Sequence, residues 1–432
     1  MNGRRLKSEN FAEVLDLFGA SGYLNVDSFD GYQFDLQNPD KVVGVGDTFK
    51  YNYNLFADVL SGYMQGVFKY NKIDFYIAAS VTNTEYQREG LYDNEANLGN
   101  SFGKGEKLSF TGFGGKAGAT YKITGKHMLD LNAGYITRAP SLRNTFSNSR
   151  ENHNVVKNIS EEKIMSLDAS YIFRSQIVKA RLTGYYTKME DANEISFFYA
   201  DGIQGFEESS EFVQEVLRGI DKKHMGGELG IEAQVTPTIK LKGVASFGEY
   251  TYDNNPNLYL SSNDVSVDLG ESKLKDYKIA GGPQRAFSAG FEYRDPDYWW
   301  FGATTNFFSN AYVDISPLTR TKNFYLDTDG LPFNDYDSDT ARGLLQQEKF
   351  NEYILVNLIG GKSWKIDDYY IGFFASVNNL LDKEYKTGGF EQGRNANYRE
   401  LRDDVNNSTR VFGPKYWYGR GTTYFVNVYF RF

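Results

Sequence analysis

The stretch TTYFVNVYFRF, Thr422 to Phe432, alternates along its whole length. Successive side chains of a strand point to opposite faces. Tyr424, Val426, Val428, Phe430 and Phe432 therefore share one face, and Phe425, Asn427, Tyr429 and Arg431 the other. The first face is apolar throughout and the second is mixed. The wall of an outer-membrane β-barrel requires this pattern, with lipid on one side and a wet lumen on the other. A soluble sandwich with one solvated face shows the same alternation, so the choice between them falls to the rest of the chain.

Working outward, the alternation recurs. In 72–84, Ile73, Phe75, Ile77, Ala79 and Val81 oppose Asp74, Tyr76, Ser80 and Thr82. Similar patterns occupy 127–135, 177–187 and 239–247. Period-two runs of about ten residues have the length of a tilted membrane-crossing strand. Tight turns are expected at Tyr70–Lys72, Thr124–Lys126, Arg174–Gln176, Thr236–Thr238, Asp295–Asp297 and Asp367–Asp368, most of them marked by Gly, Pro, Asn or Asp. Long polar stretches separate the pairs, at about 86–109, 139–162, 190–224, 253–284, 314–350 and 386–421. Short connections thus alternate with long ones, which is the asymmetry of a membrane barrel. The fold class expected is all-β: a transmembrane antiparallel β-barrel wall over 49–432, with long extracellular loops. Six hairpins and the closing strand give thirteen strands. Bacterial single-chain barrels have an even number, so a fourteenth strand or an incomplete chain is implied. Residues 1–48 read as an extracellular loop segment, with Phe11–Phe18 as a helical turn.

Composition fits this reading. Aromatics make up 16% of the 432 residues, with 33 tyrosines and 33 phenylalanines. No run of 18 apolar residues occurs, so a membrane-crossing helix is excluded, a test that β-barrels escape. The absence of cysteine rules out disulfides, thiolate metal sites and cysteine catalysis. His127, His153 and His224 lie far apart and suggest no shared metal site. A net charge of −9 argues against a nucleic-acid partner. At the N-terminus, Glu9, Glu13 and Asp16 interrupt any apolar signal core, so export would need a leader further upstream.

Few motifs carry chemistry. Gly360–Ser363 (GGKS) ends like a phosphate-binding loop, but Val356 stands where the first glycine is required and the segment lies in a strand. Glycines in 112–118 are expected to let aromatics on neighbouring strands pack closely. Asp327 and Asp329 head an acidic loop with oxygen ligands suited to calcium, although the loop departs from the EF-hand pattern; a solvated loop is the default reading. Nothing points to an enzyme or to a cofactor. The loop 412–421 gathers Tyr416, Trp417 and Arg420, an aromatic and cationic set able to grip a ligand, or else to form an interfacial girdle. Tyr298, Trp299 and Trp300 follow a tight turn and read as the girdle at the periplasmic side.

Residues 375–385, ASVNNLLDKEY, resemble the late-barrel corner of TonB-dependent outer-membrane receptors, and 422–432 resembles their final strand, ending at Phe432. Residues 135–143, YITRAPSLR, are similar to the family's mid-barrel strand-to-loop stretch, and Glu161 and Glu162 sit where the family places an acidic segment. The resemblance implies that Arg138, Pro140, Asn378, Asn379 and Asp382 shape corners. The loop-rich style looks most like receptors of Bacteroidetes-type bacteria. It further implies that this is the C-terminal portion of a barrel of about 22 strands in the outer membrane of a Gram-negative bacterium, with the plug domain and first strands missing from it. The parent receptor would import a bulky scarce nutrient (iron chelate, oligosaccharide or peptide). Its partners would be outer-membrane lipid, the inner-membrane TonB complex reached through the missing part, and in some cases a surface lipoprotein. The competing reading is a passive pore or structural barrel that closes alone.

Overall fold

The computed structural model describes every residue except 1, 12–22, 25–32, 40–41, 45, 201–202, 204–210, 263–264 and 394–396. One antiparallel sheet of seventeen strands dominates it. Three of these, Gly103–Lys104, Asn257–Ser261 and Ser266–Glu271, are short, leaving fourteen of nine residues or more. Twelve of the fourteen form six hairpins: Thr48–Lys69 with Ile73–Gly90, Leu108–Lys122 with His127–Arg138, and Glu162–Arg174 with Val178–Ala200; then Glu211–Gln234 with Ile239–Tyr252, Arg285–Arg294 with Trp299–Ser309, and Tyr353–Ile366 with Tyr369–Asn378. The six turns fall at the six expected places. Tyr70 N donates to Ile73 O at 2.9 Å, Ser175 N to Val178 O at 2.7 Å, and Asp295 N to Trp299 O at 2.8 Å.

The final strand, Thr423–Arg431, pairs with Tyr369–Asn378, placing Val426 opposite Ala375, Val428 opposite Phe373 and Phe430 opposite Ile371. Asn427 and Tyr429 face the other way, opposite Phe374 and Gly372, and the Tyr429 hydroxyl bonds the Ser363 hydroxyl. The same division runs around the sheet. One face carries exposed Met64, Ile77, Leu129 and Leu131. The other carries a polar ladder, in which Asn132 Nδ2 donates to Asp168 at 3.0 Å, Thr120 Oγ1 donates to Asp130 at 2.6 Å, and the Tyr76 hydroxyl donates to Asn132 at 3.2 Å. Gly118 serves this ladder: a Cβ there would lie 2.4 Å from the Tyr76 ring and 2.4 Å from Asn132 Oδ1. At the short-turn end, Tyr70, Tyr298, Trp299, Trp364 and Tyr369 are all exposed, the position of an aromatic girdle.

Two segments differ from the sequence reading. Asn2–Phe11, placed in a loop by its sequence, is a strand whose residues pair with 48–59, from Asn2 opposite Val59 to Phe11 opposite Thr48. Its sequence, NGRRLKSENF, has no apolar alternation, so only the neighbouring ladder reveals it. Apart from Phe11, the expected helical turn lies outside the described residues. Likewise, much of 190–224 is not a loop. The ladder between Val178–Ala200 and Glu211–Gln234 runs on through it, with a register shift between Met189 and Ala192, where Asp191 has φ +62°. Among the described residues, Asn2–Phe11 and Thr423–Arg431 each have one neighbour and do not pair with each other, so the wall of fourteen long strands has two open edges.

The hydrophobic core does not lie against the wall. It lies at the long-loop end, where Val213, Leu217 and Ile220 of the extended ladder meet Leu258, Leu260, Leu269, Leu274 and Leu318. The protruding ladder and the long loops together form a cap on the wall.

Candidate functional site

The cap is held together by buried charges. Arg320, 4% exposed, makes a bidentate pair with Glu391 and donates to Leu345 O at 2.9 Å and Thr319 Oγ1 at 2.7 Å. Its guanidinium also lies 5.0 Å from the Tyr277 ring centroid. One side chain thereby joins three long loops. Arg88 joins two more, 86–109 and 139–162, donating to Ser149 O at 2.7 Å and Ser101 O at 2.8 Å. Burial pushes its guanidinium down to about 10.

Beside the Arg320–Glu391 pair lies a cavity of about 680 Å³. The extended ladder supplies Glu194 through Phe198 on one strand and Glu215 and Leu217 on the next; the loops supply Asp314 through Pro317, Phe390, Glu391 and Trp417. Four carboxylates thus meet an aromatic lining. Two are neutralised: Glu194 by Lys222, and Glu391 by Arg320. The other two have no ion-pair partner among the described residues. Glu215 is 7% exposed; its Oε1 accepts from the Ser196 hydroxyl at 2.9 Å, and its Oε2 has no hydrogen-bond partner. Burial, reinforced by Asp314 and Glu194, pushes its carboxyl up to about 7, against the pull of the Ser196 hydroxyl and the Leu318 amide. Burial likewise raises Asp314 to about 6, with Glu194 adding to the rise and Lys222 opposing it.

The residues singled out from sequence are dispersed. Trp417 lines the cavity, 57% exposed and 5.7 Å from Phe390 between ring centroids. Tyr416 points elsewhere: its hydroxyl donates to Glu348 at 2.6 Å, and Lys386 Nζ sits 3.3 Å from its ring centroid. Arg420 contributes its backbone carbonyl, which accepts from Asn379 Nδ2 at 3.2 Å. Asn379 also exchanges bonds with Lys383, and Asp382 Oδ1 accepts from Thr422 N at 2.8 Å, fastening the 378 corner to the start of the final strand. Asn378 Nδ2 reaches Thr423 Oγ1 at 3.5 Å. Arg138 pairs with Glu162 at 2.8 Å across directly opposed strand positions, and Pro140 O accepts from the Tyr86 hydroxyl at 3.0 Å. Phe432 is 93% exposed beyond the last ladder pair. Asp327 Oδ1 accepts from the amides of Asp329 and Leu331 in its own loop. Among the described residues no group of three or more His, Asp or Glu side chains is arranged to hold a metal ion.

Sequence reasoning missed Glu215 and Asp314. Val213, Gln214, Glu215, Val216 and Leu217 are all buried. A ladder covered on both faces loses its alternation, so nothing in the pattern set Glu215 apart.

Comparison with known proteins accords with this architecture. The family described as "TonB dependent receptor-like, beta-barrel" matches residues 3–380. Among solved structures, the copper transporter OprC is 16% identical with a TM-score of 0.55, covering 92% of this chain and 51% of its own. The siderophore receptor PiuA from Acinetobacter baumannii is 11% identical with a TM-score of 0.56, covering 91% and 45%. The ferric-catecholate import receptor Fiu from E. coli K12 is 13% identical with a TM-score of 0.52, covering 90% and 47%. The chain therefore spans about half the length of the solved receptors it matches. A search of curated proteins finds no match in sequence.

Proposed function

Because the chain belongs to the TonB-dependent receptor β-barrel family, whose members are outer-membrane transport proteins of Gram-negative bacteria and not enzymes, we propose that it forms the C-terminal wall and extracellular cap of such a receptor. In this reading the receptor captures a bulky scarce nutrient outside the outer membrane and draws it inward with energy from the inner-membrane TonB complex. The observation that carries the reading is a cavity-bearing cap set on the long-loop end of a wall with one apolar and one polar face. A passive pore needs a closed wall and no ligand cavity. A nutrient receptor needs the cavity, and it needs the two open edges, Asn2–Phe11 and Thr423–Arg431, to be met by further strands. The origin in Bacteroidetes-type bacteria and a total of about 22 strands belong to the same proposal.

Planar-bilayer recording tests it. The purified chain is expected to give no steady conductance. A stable ohmic channel formed by the chain alone would overturn the receptor reading in favour of a self-closing pore.

A further inference from the structure

The cap cavity has a chemical preference built into it. Glu215 and Asp314 line a space of about 680 Å³ and make no ion pair among the described residues, while Glu194 and Glu391 are matched by Lys222 and Arg320. Glu215 Oε2 is buried and unpartnered, a costly arrangement unless something outside the chain completes it. A proton on Glu215 relieves the charge but leaves a hydroxyl that also needs an acceptor. Arg143 is the cation among the lining residues, and it makes no ion pair among the described residues. Tyr252, the remaining titratable group of the wall, is buried beside these acids and supplies no positive charge.

Five lining residues are aromatic: Phe197, Phe198, Tyr252, Phe390 and Trp417. Aromatic faces attract cations and bury apolar bodies together. The volume falls within the range of small-molecule sites, about 300–1,000 Å³. A bare metal ion fits poorly, because among the described residues no group of three or more acidic or histidine side chains is placed to ligate one.

We propose that the cavity binds an organic cation, a protonated amine on an apolar or aromatic body, with its ammonium group between Glu215 and Asp314 and its body against Phe198, Phe390 and Trp417. The proposal rests on the receptor reading only for the orientation of the cavity toward the outside. The ammonium group would supply the missing partner of Glu215 Oε2. Binding would also displace protons from the two acids, so affinity should rise with pH between about 5 and 8. The other charged or titratable groups around the cavity are Arg143, Glu194, Lys222, Arg320, Glu391 and Tyr252, and burial holds the Tyr252 phenol well above its ordinary value.

The test is isothermal titration calorimetry on the full chain in detergent, with phenethylamine, 2-phenylethanol and 3-phenylpropionate as matched cationic, neutral and anionic probes. The amine should bind at least tenfold more tightly than either of the others, weaken as pH falls from 8 to 5, and release protons on binding. E215Q and D314N should each weaken the amine about tenfold and leave 2-phenylethanol unchanged, whereas E249Q, in an ion pair with Lys278 elsewhere, should change neither. Equal affinity for amine and alcohol, or no measurable binding of the amine, would overturn the proposal on the unaltered protein, whatever the variants do. This outcome is independent of the conductance test: a conducting chain that still selects the amine sinks the receptor reading alone, and a silent chain without selection sinks the cation site alone.

Discussion

The wall and the cap are built on opposite principles. In the wall, twelve of the fourteen long strands pair as hairpins across tight turns, and one face stays bare for lipid; Val426 and Val428 are 65% and 71% exposed. In the cap, residues far apart in sequence meet, both faces of the ladder are covered, and Val213 and Val216 are 0% exposed. The wall gains stability from ladder bonds and from lipid supplied outside. The cap must make its own core and does so with leucines and with buried ion pairs such as Arg320–Glu391. A substitution should therefore act by its face in the wall and by its partners in the cap.

The largest expected effect is in the cap. Arg320→Ala leaves Glu391 without its buried partner, and such losses cost about 3–5 kcal/mol. Hydrogen exchange should show the loops 253–284 and 310–352 opening while the hairpin ladders stay protected. Loss of protection throughout would show that wall and cap are one cooperative unit and break the comparison.

In the wall, face should decide. Val426→Arg places a charge on the lipid side at a cost of about 2–4 kcal/mol, whereas Asn427→Arg, one residue away on the lumen side, should cost little. Urea unfolding in lipid bilayers measures both, and equal costs would contradict the assignment of faces.

The pH response separates the regions again. The folded carboxyls of Glu215 and Asp314 lie above their ordinary values, at about 7 and about 6. A raised acid stabilises the fold below its unfolded pKa, and that contribution is lost as pH rises through the folded value. The empty cap should thus loosen between about pH 4 and pH 7 and become easier to cut with protease, with the wall unaffected. E215Q should remove about half of that slope, and D314N the other half. Smaller still, Gly118→Val would press on Tyr76 and Asn132, an overpacking cost of about 1–3 kcal/mol, visible as a lowered urea midpoint with cap proteolysis unchanged.

The same contrast explains what could be read in advance. The six turns and the two-faced strands are legible because the information is local: most of the turns carry Gly, Pro, Asn or Asp, and a half-buried strand needs period two. The ion pair between Arg138 and Glu162 joins the two segments that resemble the family's strand-to-loop and acidic stretches. Asn2–Phe11 was illegible because its pairing, and not its side-chain pattern, makes it a strand. The ladder through 190–224 was hidden by cover on both faces. Arg320 and Glu391 stand 71 residues apart, and no periodicity announces such a contact. Trp417 stands out in the sequence as an aromatic among cations, but its carboxylate companions come from other segments and are assembled only by the fold.

The central claim is that the alternation in 422–432 separates lipid from water. The chain has no cysteine, so single cysteines at Val426, Asn427 and Val428 can each carry a bimane label in reconstituted bilayers. Nitroxide lipid should quench the labels at 426 and 428 strongly and iodide should quench them weakly, with the order reversed at 427. Equal quenching at all three positions would contradict the account.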